Sequence, residues 1–221
     1  MKIFGFTLTE ALVTLTIIGV LGALTVPTLH QNINNQTYEM NIKKAYNTIS
    51  TAIESYMVEN SIINLELSPI TQTQNALNIF VNTYFKTTGI GNEYFAHSIN
   101  TLDKSEQFTI PETNEINAAF MLVDGSTMRI RRIVQENQQN ENNEDEDINI
   151  PHSFTVEIDT NGSKGPNTSG RDVFTLDIAP DGSIINARRN NEAENSFNYY
   201  KNNSVIMPIE LLLKNNWEMN Y

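Results

Sequence analysis

The sequence predicts an α+β fold: one long N-terminal helix, apolar in its first half and amphipathic in its second, packed on an antiparallel sheet of about four to five strands. Three observations carry this. From Phe6 to Leu29 the chain holds a single ionisable side chain, Glu10. Beyond it, Ile42, Ala45, Tyr46, Ile49, Ala52, Ile53, Tyr56 and Met57 recur at steps of three and four, the stripe of an amphipathic helix. Farther on, short apolar and β-branched runs are separated by Asp-Gly turn signals. These features divide the chain into 1–5, a membrane-crossing helix over 6–29, its amphipathic continuation over 30–60, and a globular part over 61–221.

At about 1.5 Å per residue the apolar run can cross a hydrocarbon core of roughly 30 Å. A cleaved secretory signal fits poorly. Its apolar core spans about 7–15 residues and ends in a small-residue cleavage site, and no clean A-x-A site follows here. A plain signal anchor explains the length but leaves Glu10 as a carboxylate in lipid, at a cost of about 3 kcal/mol if it sits deep. Gly19 and Gly22 offer a small-residue patch for close helix packing. Thr7, Thr9, Thr14, Thr16 and Thr25 can bond back to helix carbonyls. Pro27 removes one helical hydrogen bond, so it either kinks the helix or ends it.

The stretch Gly5-Phe6-Thr7-Leu8-Thr9-Glu10 resembles the processing site of type IV pilins and of the pseudopilins of type II secretion. The resemblance implies that a prepilin peptidase cuts between Gly5 and Phe6 and that Phe6 is then N-methylated. It places Glu10 at the family's glutamate, where the carboxylate faces the N-terminal amine of a neighbouring subunit. Pro27 falls near the depth where pilin helices commonly carry a proline, and Lys2 supplies the positive charge usual in short leaders. The implied protein is a structural subunit, minor or specialised, of a type IV pilus-like filament or a type II secretion pseudopilus. Its implied partners are the prepilin peptidase, other pilin or pseudopilin subunits, an inner-membrane assembly platform and membrane lipid. The precursor would be a single-pass inner-membrane protein with an extracytoplasmic globular domain, later found in a periplasmic pseudopilus or a cell-surface filament. The rival reading is a bitopic, membrane-anchored extracytoplasmic binding protein that does not polymerise.

Downstream, a helix is expected over residues 73–86 from the stripe Ala76, Leu77, Phe80, Val81, Tyr84 and Phe85, stopped by Gly89 and Gly91. Residues 92–117 read as loop. The runs 118–123 and 127–134 form a hairpin about Asp124-Gly125-Ser126. In the second run Met128, Ile130 and, after a slip, Ile133 alternate with arginines, which predicts one wet face. The stretch 135–149 carries six acids and no base, a solvated-loop composition. Phe154 to Asp159 alternates as a strand, and 173–178 pairs with 183–186 across Ala179-Pro-Asp-Gly182. A short helix with proline near its start is expected from Pro208 to Trp217.

Between the strands lies Asp159-Thr-Asn-Gly-Ser-Lys-Gly-Pro-Asn-Thr-Ser-Gly-Arg-Asp172. Asp159, Asn161, Asn167 and Asp172 offer the hard oxygens that calcium takes, six to eight at a time. The EF-hand pattern is not completed, and an Asx-capped turn joining two strands explains the same residues. The segment is also similar to a stretch of pilin-like secretion proteins, whose major pseudopilins hold calcium in a C-terminal loop with a different ligand spacing.

A net charge of −12 argues against a duplex nucleic-acid binder, and no nucleic acid is expected as a partner, although Arg129, Arg131 and Arg132 form a local basic run. With no cysteine there is no disulfide framework and no thiolate nucleophile. His30, His97 and His152 are scattered, and no H-E-x-x-H, G-x-S-x-G or Walker loop occurs, so no enzyme is expected.

Overall fold

The computed structural model describes residues 5, 7–95, 98–109, 116–132, 153–185, 200–201 and 205–221. Phe6, Lys2, His97, His152, Ile133 and the acidic stretch 135–149 lie outside the described residues. The chain divides into two compact units, Met1–Thr37 and Tyr38–Tyr221.

Helix α1 runs from Leu8 to Glu59 without interruption. Its part in the first unit includes Leu8–Pro27, twenty residues long and apolar enough to cross a membrane, none of them buried. Leu8, Leu15 and Leu24 are each two-thirds or more exposed. Pro27 lies inside the helix rather than at its end. The hydroxyls of Thr14, Thr16 and Thr25 donate to carbonyls three or four residues earlier, as expected of hydroxyls in a helix with no other partner.

In the second unit the expected stripe is buried. Ile42, Ala45, Ile49, Ala52, Ile53 and Tyr56 join one core cluster with the sheet. Each fully buried aliphatic side chain contributes about 1.5–3 kcal/mol of transfer free energy. After α1, a single turn α2 (Pro69–Gln72) leads into α3 (Gln74–Tyr84). Thr73 caps α3 by accepting from the Ala76 N–H at 3.2 Å. The helix ends at Phe85, whose extended backbone starts the chain toward β1 (Thr87–Ile90). Gly89 therefore lies within a strand, paired with Met121, and does not stop the helix.

The sheet has six antiparallel strands in the order β1-β4-β5-β6-β7-β8, one more than the upper expectation. The further members are β4 (Asn117–Leu122), β5 (Thr127–Arg132), β6 (Phe154–Asp159), β7 (Val173–Ile178) and β8 (Ile184–Ile185). Both turns read from sequence close as expected. Gly125 takes φ +88° and Gly182 φ +84°, with Asp124 and Asp181 each accepting from the N–H two residues on. Helix α4 (Ile209–Lys214) follows Pro208.

Two expectations fail together. Residues 92–117 are not plain loop: they hold a helical turn at Asn92–Phe95 and a second sheet, β2 (Ser98–Asn100) with β3 (Gln107–Thr109). The sheet face opposite α1 is not wet. Phe95, Ile99 and the half-buried Phe108 gather with Ala119, Val173 and Ile206 in a second cluster on that side. All six residues of β6 and all six of β7 are consequently buried.

Polar residues on that face must then satisfy one another. Arg129 and Arg131 both reach Glu157, the second at 2.9 Å, and Arg129 also lies over the Phe95 ring. Arg129 and Glu157 are 7% and 3% exposed, so Arg129 and Arg131 belong to an internal ion cluster rather than a surface patch, while Arg132 is half-buried at the strand end. Thr155 donates to Asp177 across the β6–β7 ladder. Breaking a buried ion pair from one side costs about 3–5 kcal/mol. Glu157→Gln should lower unfolding free energy by about 3 kcal/mol in urea titrations, while Lys44→Gln, which breaks a more exposed pair with Asp124, should cost under about 1 kcal/mol.

Candidate functional site

Two places draw together the residues singled out from sequence, one in each unit.

At the start of α1, Thr7 is the residue ahead of the first helical position, and its carbonyl accepts the first helical bond, from the Ala11 N–H. Thr7 Oγ1 accepts from the Glu10 N–H at 3.2 Å. The Glu10 carboxylate in turn accepts from the Thr7 N–H and hydroxyl, each at 2.8 Å. This reciprocal pair is a capping box, the T-x-x-E pattern of helix starts. The sequence signal for it is the T-x-x-E spacing of Thr7-Leu8-Thr9-Glu10, which the readings of Glu10 as a charge in lipid and as an intersubunit partner do not use. Glu10 thus has a partner inside its own helix. Gly5 lies outside the helix and is exposed; Phe6 is outside the described residues. Pro27 has no N–H to give the Ala23 carbonyl, which leaves a weak point in the ladder.

The second place is the turn between β6 and β7. Asp159 is the last residue of β6 and Asp172 directly precedes β7, so strand pairing brings the two carboxylates to the same end of the sheet. Both are fully buried. Asp159 Oδ1 accepts from the Asn161 N–H at 3.1 Å, closing an Asx turn. Asp172 accepts from the N–H groups of Thr168 and Asn167 at 2.6 and 2.9 Å, and from the Asn161 amide at 3.1 Å. All four predicted residues are therefore gathered in one cluster.

Backbone geometry holds the cluster. Gly162 takes φ +66°, and a Cβ there would meet the Gly125 carbonyl at 2.6 Å, so only glycine fits. The distal part of the turn is tied to β2, with Asn100 N–H donating to the Asn167 carbonyl at 2.7 Å and Ser169 N–H returning to the Asn100 carbonyl at 2.9 Å. Ser169 also links to the chain near α4 through Val205 and Met207. These long-range ties could not be read from the turn's own sequence.

Burial pushes the Asp172 carboxyl up to about 6, and the Asp159 charge adds to it, against the pull of the backbone N–H groups of Thr168 and Asn167. The same two carboxylates, after burial, help to raise the half-buried Tyr38 phenol on α1, while Arg171 opposes them. Asn161 Oδ1 and Asn167 Oδ1 are shut away from solvent and receive no hydrogen bond. An oxygen left so costs about 1–3 kcal/mol. Two buried carboxylates and two amide oxygens lacking donors are all hard oxygens, the type that would suit a cation such as calcium and not zinc. Asp159, Asn161, Asn167 and Asp172 would hold it, and its charge would relieve the repulsion between the carboxylates. Among the described residues no cluster of three or more histidine, aspartate or glutamate side chains occurs, so amide oxygens are needed to complete any set.

No family model matches the chain, and neither a curated protein nor a solved structure matches it.

The raised Asp172 has a defined pH signature. Its native form binds a proton more tightly than the unfolded chain, so without divalent ions its contribution favours the fold below about pH 4 and is lost as pH rises through about 6. Stability should therefore fall across that window, and the fall should be smaller in Asp172→Asn. Millimolar calcium should raise the melting temperature at pH 7.5 and remove this slope, with both effects reversed by a chelator and absent in Asp159→Asn/Asp172→Asn.

Proposed function

We propose that this chain is a structural subunit, minor or specialised, of a type IV pilus-like filament or a type II secretion pseudopilus. The observation that carries the reading is α1 itself. Its Leu8–Pro27 part is apolar and exposed along its whole length, with Glu10 the lone acid, and the same helix continues as the spine of an α+β domain. A helix of that kind is soluble only in lipid or against copies of itself. The processing-like stretch Gly5 to Glu10 directly precedes and enters it.

In this reading a prepilin peptidase cuts between Gly5 and Phe6 in the inner membrane and Phe6 becomes the methylated N-terminus. Subunits then enter the filament from an inner-membrane assembly platform, with the globular domain extracytoplasmic. The Glu10 carboxylate leaves its capping box to meet the Phe6 amine of a neighbour, which removes two charges from lipid at once and sets the axial register. Pro27 supplies the weak point at which the helix bends or opens during packing.

The capping box favours a second reading, in which Glu10 only caps its own helix and the chain is a bitopic anchored binding protein. Glutamine serves the box as well as glutamate but carries no charge. Glu10→Gln separates the two: a filament subunit should lose more than tenfold of its assembled, sheared-fraction material, whereas an anchor should be unaffected. Intact mass from native membranes supplies the companion measurement. A mature chain beginning at Phe6 with one added methyl group is expected, and a chain retaining residues 1–5 would overturn the filament reading.

A further inference from the structure

We propose that Thr7 is a positioning residue for cleavage after Gly5: its capping box with Glu10 fixes the helix start at Leu8 and so keeps the Gly5 carbonyl out of the helix. The inference rests on the reading that a peptidase cuts at this bond, and adds to it what makes the bond available.

Proteases and other peptide-recognising folds take substrate as extended chain, because main-chain groups must be free to pair with the enzyme. Inside a helix those groups are engaged. Two helix starts compete here. One begins at Leu8 with Thr7 as cap, and this is the start observed, with three hydrogen bonds between Thr7 and Glu10. The other would begin at Phe6 with Gly5 as cap, since glycine caps almost as well as threonine. A cap residue's carbonyl accepts the first helical bond. In the second start Gly5 would therefore give its carbonyl, the one under attack, to the Thr9 N–H. The reciprocal box, which satisfies both the Glu10 and the Thr7 N–H, tips the balance to the first start. Gly5 is left exposed and non-helical.

Valine has the shape of threonine without the hydroxyl, and it caps poorly; asparagine differs in shape but caps well. The test is the rate of cleavage of the full-length precursor, in membranes, by a prepilin peptidase, followed by intact mass. Thr7→Val should be cut about fivefold more slowly, the population shift that loss of one cap brings, and Thr7→Asn should be cut at the wild-type rate. Equal rates for Thr7→Val and wild type would overturn the inference. Slow cutting of both variants would overturn it as well, since the enzyme would then be reading threonine itself. A wild-type chain left uncut after Gly5 would instead sink the filament reading, and the inference with it.

Discussion

The globular unit depends on one contact, the stripe of α1 from Ile42 to Tyr56 against the apolar face of the six-stranded sheet. Phe120, Met128, Ile130, Val156, Ile158, Phe174 and Leu176 all point into that cluster. Because strand side chains alternate, committing these residues to α1 sends their neighbours to the opposite face. Everything polar in the middle strands is therefore placed by the apolar half of the pattern. Arg129, Glu157, Asp159, Thr175 and Asp177 lie together because their neighbours are needed elsewhere.

That second face is where the fold carries its electrostatic tension. A cover of Phe95, Ile99, Phe108 and Ile206 excludes water from part of it. Once dry, charges persist only when paired, and the Arg129–Glu157–Arg131 cluster meets that condition. At one end of the sheet Asp159 and Asp172 meet it less well, and Asp172 responds by holding its proton up to about pH 6. A bound hard cation and a retained proton are two answers to the same problem, so the ion reading of the turn and its pH dependence are linked.

The N-terminal segment shows the reverse economy of means. Among the described residues the Glu10 charge is met by an N–H and a hydroxyl of Thr7, three residues away. This local arrangement holds the helix boundary at Leu8.

Features that depend on neighbours a few residues apart are written directly in the chain. The apolar span, the α1 stripe and the Asp-Gly turns at 124–126 and 181–182 are all short-range patterns, and all were legible. The Thr7–Glu10 box is equally local, three residues apart. What tertiary structure alone decided was burial. Alternation in β5 and β6 shows that two faces differ but not whether the polar one is covered, because the cover comes from Phe95 and the β2–β3 hairpin, whose three-residue strands are too short to show a period. Likewise the pairing of Arg129 with Glu157 and the meeting of Asp159 with Asp172 follow from strand register, which is set by packing of the whole sheet on α1.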